Sequence, residues 1–222
     1  MKNILIIFLM YSLISLNFNC RAVDNANKSQ KGAGIGVLGG ALAGALIGGN
    51  VKSAVIGAAV GGSAGAIIGK EMDKQAQKIE EVLPGAEVVR VGEGIQVVFD
   101  EQSGITFAFN SANLTNESKL NLDKIAKVFI EFPETEIFLG GHTDSVGNDN
   151  YNMTLSTNRA LAVSKYLQEK GVDSNRIKVQ GFGETAPKYD NSTKEGQAKN
   201  RRVEVGIAAN EEMIEEAQAK QN

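Results

Sequence analysis

Gly141-His142-Thr143-Asp144, followed fifteen residues after the aspartate by Arg159 within Leu155-Ser156-Thr157-Asn158-Arg159-Ala160, decides how the second half of this chain is read. The run before it, Glu136-Ile-Phe-Leu-Gly140, has the composition of a strand. The run after it, about 151–169, carries Leu155, Ala162, Val163, Tyr166 and Leu167 on one helical face and is closed by Gly171. Asp144 therefore falls at a strand end, and Arg159 falls on the apolar stripe of the next helix. Asn152, seven residues before Arg159, shares that side. A charge at the edge of a core is costly unless it is paired. Two readings are open on residue chemistry alone. The pair neutralises itself and fixes the loop, or it receives a ligand that carries both signs, an amino acid or the end of a peptide.

The pattern extends in both directions. Glu87-Val-Val-Arg-Val91 and Ile95-Gln-Val-Val-Phe99, joined by Gly92-Glu-Gly94, read as a hairpin. Ile105 to Phe109 reads as a further short strand. A helix over about 117–132 places Leu120, Ile125, Val128, Phe129 and Phe132 on its core face and stops at Pro133. Ile177 to Gly181 and Arg201 to Ile207 are strands, with a helical turn near Glu195 between them. On the last strand Val203, Val205 and Ile207 alternate inward, and Arg201 shares their parity. Arg202 and Glu204 take the opposite parity, which predicts a solvated Arg202. Gly147 gives the 145–150 loop unusual backbone freedom, so that its N–H groups could meet a carboxylate. These elements predict an α/β sandwich with a mixed sheet and helices mainly on one face. The polar tail, 210–222, is expected to be a frayed helix or disordered.

The N-terminal half is of another kind. Lys2 precedes an uncharged run from Ile4 to Leu16, too short for a comfortable permanent span and typical of an export signal over 1–19. Cys20 is the only cysteine, so no disulfide forms within the chain. Residues 21–31 are polar and suit a tether. Glycines then stand at 32, 36, 40, 44 and 48, and again at 57, 61, 65 and 69. A step of four keeps them on one helix face, where bare stripes let two backbones approach closely. Each glycine costs about 1 kcal/mol relative to alanine in a helix, so membrane or partner packing has to offset the sum. A helical hairpin over 32–69, in the bilayer or packed on itself or on other copies, is expected. A disordered linker is the lesser reading, because a linker has no reason to space glycines by four. The charged helix former from Lys70 onward ends at Pro84-Gly85, and the domain boundary is placed there.

Composition narrows function. Net charge is −3, so nothing points to nucleic acid. With one histidine and no tryptophan, a histidine-rich metal site is not expected, and no cofactor is implied. A glycoside hydrolase would need a pair of carboxylates around a cleft. Only Asp144 with Asp149 or Glu184 stands near the motif, so an enzyme is not the reading taken. Tyr151 and Tyr166 are read as packing residues, and His142 and Thr143 as strand-end hydrogen bonders.

Several motifs carry a resemblance. Asn17-Phe-Asn-Cys20 resembles the lipobox of bacterial lipoproteins, with Leu16 four residues before the cysteine and Asn19 in place of the usual Gly or Ala. That implies lipidation at Cys20; ordinary cleavage leaving a free thiol is the alternative. The glycine ladder is similar to the glycine zippers of envelope lipoproteins. Phe109-Asn110-Ser-Ala, Gly-His-Thr-Asp144, Tyr151-Asn152, Leu155-Ser-x-x-Arg159-Ala, Arg176-Ile, Gly181-Phe-Gly-Glu and Asn200-Arg-Arg-Val-Glu resemble the outer-membrane protein A (OmpA)-like C-terminal domain. The resemblance covers roughly 95–209, within a domain taken as 87–209. It implies non-covalent, non-enzymatic binding of peptidoglycan through the diaminopimelate of the stem peptide. It assigns the amino-acid head to Asp144 and Arg159, with Asn110, Asn152 and Arg201 in support. Gln197 departs from the arginine frequent in the family. The expected protein is an outer-membrane lipoprotein, its soluble domain in the periplasm, with bilayer, wall and possible homo-oligomer contacts. A pore or secretion component built on the ladder is the alternative.

Overall fold

The computed structural model describes residues 63–220 except Gln102 and Phe109. The expected signal segment, Cys20, the tether and the glycine ladder as far as residue 62 lie outside the described residues. The first described element is helix α1, Ser63–Val82. It joins the end of the ladder to the charged segment as one helix. Strands β1 (Glu87–Val91) and β2 (Gly94–Phe99) form the expected hairpin. Helix α2 (Asn116–Glu131), strand β3 (Thr135–His142) and helix α3 (Asp149–Glu169) follow. Strand β4 (Ile177–Gly183), the short helix α4 (Lys194–Asn200), strand β5 (Val203–Ala209) and helix α5 (Glu211–Ala219) complete the order.

The five strands lie in the order β1-β2-β5-β3-β4. β3 and β4 are parallel and are joined through α3, whereas β5 is antiparallel to both β2 and β3. The sheet is thus mixed, and β5, last in sequence, is central. Register aligns Ile95, Ile207, Ile137 and Ile177 across the sheet. Ile95, Ile137 and Ile207 are fully buried, with Val97, Val205 and Leu139 in the next row.

Three features differ from the sequence expectation. Residues 105–108 add no strand to the sheet. Their backbone is satisfied elsewhere: Ile105 N–H donates to Asp100 O (3.1 Å), Thr106 N–H to Ser118 Oγ (2.7 Å) and Ala108 N–H to Asn113 O (3.0 Å). Only a single bridge, Phe107 to Leu114, remains. Leu120 is 65% exposed; the buried stripe of α2 is Ser118, Leu122, Ile125, Ala126, Val128 and Phe129. Leu120 lies two residues from Leu122, about 200° around the helix, and so faces away. The tail is an ordered helix. Asn210 caps α5 by accepting from Met213 N–H (2.9 Å), and Met213, Ile214 and Ala217 are buried where α5 meets α1.

α1 itself packs on α5, α2 and the β1–β2 hairpin, burying Ala64, Ile68, Met72, Ala76 and Ile79. Arg90 on β1 binds back to Asp73 (2.8 Å). Among the described residues no helix is long and apolar enough to cross a membrane.

Candidate functional site

Glycines set how closely α3 lies on the sheet. A Cβ at Gly141 would stand 2.0 Å from the Ser156 carbonyl oxygen, and one at Gly181 would stand 2.1 Å from Thr157 Oγ1. The N-terminal half of α3 therefore rests directly on the ends of β3 and β4. Ser156, fully buried, accepts from Gly183 N–H (2.9 Å) and ties the helix to the end of β4. Gly183 adopts φ +54°, a conformation that favours glycine. The two parallel strands end at the same sheet edge, and the site is built there.

The loop after β3 carries Asp144, 8% exposed. One of its oxygens accepts from Val146 N–H (3.0 Å), and the other accepts from Arg201 Nη1 (2.8 Å). Arg201 is the C-cap of α4 rather than a strand residue, because β5 begins at Val203. Asn148 caps α3 by accepting from Tyr151 N–H (2.9 Å). Asn152, 1% exposed, points its amide nitrogen at Asp144 O (3.4 Å), Val146 O (3.3 Å) and the Glu184 carboxylate. This one side chain joins the β3–α3 loop to the residue that follows β4.

Arg159 is 6% exposed and shares the buried face of α3 with Asn152, Ser156, Ala160 and Val163. Its Nε donates to Ser111 O (3.1 Å), and its guanidinium lies 5.2 Å from the Phe107 ring centroid. Burial and, after it, the neighbouring Arg201 charge lower its pKa, against an opposing pull from Asp144. Among the described residues no carboxylate lies within ion-pair distance of it. The self-neutralising pair of Asp144 with Arg159, one of the two readings left open by the sequence, is thus absent. Asp144 is matched by Arg201, and Arg159 keeps an unmatched positive charge in a largely dry position. Asn110, at φ +51°, accepts from the Tyr151 hydroxyl. That contact and the Arg159–Ser111 bond draw the 107–115 loop against α3. All five residues singled out from the sequence, Asp144, Arg159, Asn110, Asn152 and Arg201, meet in one place.

Sequence reasoning missed Glu184, Ser111 and Phe107 as parts of the site. It noted Glu184 only as a carboxylate near the motif and as the last residue of Gly181-Phe-Gly-Glu, with no role in the site. It also misread Arg202, expected to be solvated, and gave no role to Glu204. Both are buried, at 1% and 0% exposure, on the sheet face opposite α3. Arg202 Nε donates to Glu204 Oε1 (2.6 Å) and Gln96 Nε2 donates to Glu204 Oε2 (2.9 Å). Arg202 Nη2 also reaches Ala186 O (3.2 Å) in the loop before α4. Asn200 holds that loop through Lys188 and Tyr189 N–H (both 3.0 Å). His142 is fully buried beside this pair, stacked on Phe182 at 5.1 Å and 3.9 Å from Glu204. The Asn-Arg-Arg-Val-Glu run therefore divides: Arg201 belongs to the site, and Asn200, Arg202 and Glu204 hold the fold.

Comparison with known proteins bears on the fold. The sequence model of the OmpA family matches residues 106–201, and that of the YMGG-like Gly-zipper matches residues 1–73. Probable lipoprotein YiaD of Escherichia coli is 39% identical over 137 residues, covering 62% of this chain and 63% of its own length. The chain thus spans less than two thirds of that relative. A MotB-like protein from Desulfovibrio vulgaris superposes with a TM-score of 0.58 at 22% identity, over 64% of this chain and 93% of its own. The cell wall anchor of the type VI secretion system of Pseudomonas aeruginosa gives 0.53 at 25% identity, over 62% and 96%. Residues 106–201, which include β3, α3, β4 and the site between them, thus carry an OmpA-like domain, and the first 73 residues match a YMGG-like Gly-zipper.

Proposed function

We propose that this chain binds peptidoglycan non-covalently, by recognising the free amino-acid head of the stem-peptide diaminopimelate, and so couples the outer membrane to the wall. The observation that carries the reading is Arg159: a guanidinium 6% exposed, with one neutral acceptor and no carboxylate among the described residues. A guanidinium fork matches a carboxylate bidentately, so the ligand's carboxylate goes there. Asp144 lies beside it, and each of its oxygens keeps a further lone pair for an ammonium despite the bonds from Val146 and Arg201. Asn152, Asn110 and Arg201 hold the loops that frame the pair. The mechanism is binding without turnover.

The OmpA-like domain, the resemblance to a lipoprotein and the resemblance to a cell wall anchor support this reading. Cys20 carries the lipid, the glycine ladder associates with the bilayer or with further copies of the chain, and residues 87–209 face the periplasm. The test is co-sedimentation of the purified chain with sacculi, competed by free diaminopimelate. Arg159→Ala and Asp144→Ala are each expected to lose most of the sedimented fraction. Full retention by both variants sinks the site.

A further inference from the structure

Asp144 and Arg201 answer each other's charge, which leaves two ionised groups of the site unanswered. Arg159 has no carboxylate within ion-pair distance among the described residues, and Glu184 has no cation. Glu184 is not a bystander. One of its oxygens accepts from the Asn152 amide nitrogen, the same nitrogen that stands 3.4 Å from Asp144 O and 3.3 Å from Val146 O. A single 1%-exposed amide thus sets the Glu184 carboxylate against the loop that carries Asp144. The other Glu184 oxygen accepts no hydrogen bond among the described residues. Asn152 and Arg159 are seven residues apart on α3, about 10 Å along the axis. The unmatched negative and positive charges therefore lie toward opposite ends of one site.

We propose that Glu184 is an acceptor for the ligand's ammonium group and makes the site prefer a diamino dicarboxylic acid over a plain dicarboxylic acid. This rests on the wall-binding reading and adds a specificity residue to it. An ammonium has three donors and no acceptor, and Asp144, whose oxygens each already accept one bond, does not satisfy all three by itself. Seated between Glu184 and Asp144, it meets two carboxylates, and the charge left open at Glu184 is answered. Asn152 fixes the rotamer of Glu184, so little ordering accompanies binding.

The test titrates the purified chain with diaminopimelate and, separately, with pimelate, which keeps both carboxylates and lacks the amines. Glu184→Gln keeps an oxygen for Asn152 and removes the charge. A charge-assisted bond lost in this way corresponds to a loss of about tenfold or more in affinity. We expect Glu184→Gln to weaken diaminopimelate by that factor and to leave pimelate binding unchanged. Equal loss of both ligands makes Glu184 a support for the loop and overturns the proposal. So does unchanged diaminopimelate binding in Glu184→Gln while Arg159→Ala loses it, although wall binding then stands. Wild-type protein that binds neither ligand and no sacculi overturns both readings.

Discussion

Arg159→Met removes a charge and keeps most of the side-chain volume, and it separates a ligand-receiving arginine from a structural one. Several contributions are lost or gained. The hydrogen bond to Ser111 O is worth about 1.5–3 kcal/mol for a charged donor. The contact with the Phe107 ring adds about 1 kcal/mol. Against these stands the desolvation of a guanidinium 6% exposed, several kcal/mol before compensation, with repulsion from Arg201 acting in the same direction and attraction from Asp144 opposing it. The terms nearly cancel, so unfolding free energy should change by no more than about 1 kcal/mol, while sacculus binding is lost. Arg202→Met is the contrast. Arg202 is paired at 2.6 Å with a Glu204 that is 0% exposed. Its removal leaves a buried carboxylate without its guanidinium, held by Gln96, and should cost about 3–5 kcal/mol. Urea unfolding followed by circular dichroism, with the m-value checked for constancy, reads both. A loss of about 3 kcal/mol or more in Arg159→Met refutes the reasoning, because it would mean that Arg159 is held by a partner as Arg202 is.

Gly141→Ala places a Cβ 2.0 Å from the Ser156 carbonyl. α3 must retreat by roughly 1 Å, so a loss of about 1–3 kcal/mol together with weakened sacculus binding is expected in the same two assays. Ending the chain after Ala209 uncovers α1 by removing Met213 and Ile214, 6% and 8% exposed; at about 1.5–3 kcal/mol per large buried side chain, urea unfolding should show a loss of roughly 3–6 kcal/mol. Glu134 has its pKa raised by burial and by Glu216 and Glu212. A raised carboxyl pKa destabilises the fold above the folded-state value and has no effect below the unfolded-state value of about 4.3. Glu134→Gln should therefore raise the urea midpoint at pH 7, and the difference from wild type should vanish as pH falls through that window.

The sheet was legible in the sequence because alternation and turn residues are local signals. Glu87 to Phe99 with its Gly-Glu-Gly turn, and Pro133 after α2, each act within a few residues. The 105–109 run misled for the same reason. Its alternation is strand-like, but the groups that satisfy its backbone, Asp100 O and Ser118 Oγ, come from a turn and a helix cap. The tail misled in the other direction. Glu-rich composition hid a stripe of Met213, Ile214 and Ala217 whose partner, α1, lies more than 130 residues earlier in the chain.

Arg202 and Glu204 show where parity stops being informative. Period-two reasoning assigns one face of a strand to water, and that holds for a strand with one covered face. β5 is central, and every residue from Val203 to Ala208 is buried. What covers its second face near Arg202 is the loop before α4, an irregular segment held by Asn200, whose path no periodicity announces. The site was legible for a related reason. A charge on an apolar stripe is a one-dimensional violation, and Arg159 and Asp144 announce it. Which charge answers which is three-dimensional: Asp144 finds Arg201, 57 residues away, and Glu184 reaches the site only because β4 runs parallel to β3 and ends beside it. A sequence can therefore nominate the charged members of such a site, but the charge left open for a ligand is a remainder, visible only after the internal pairs have been subtracted.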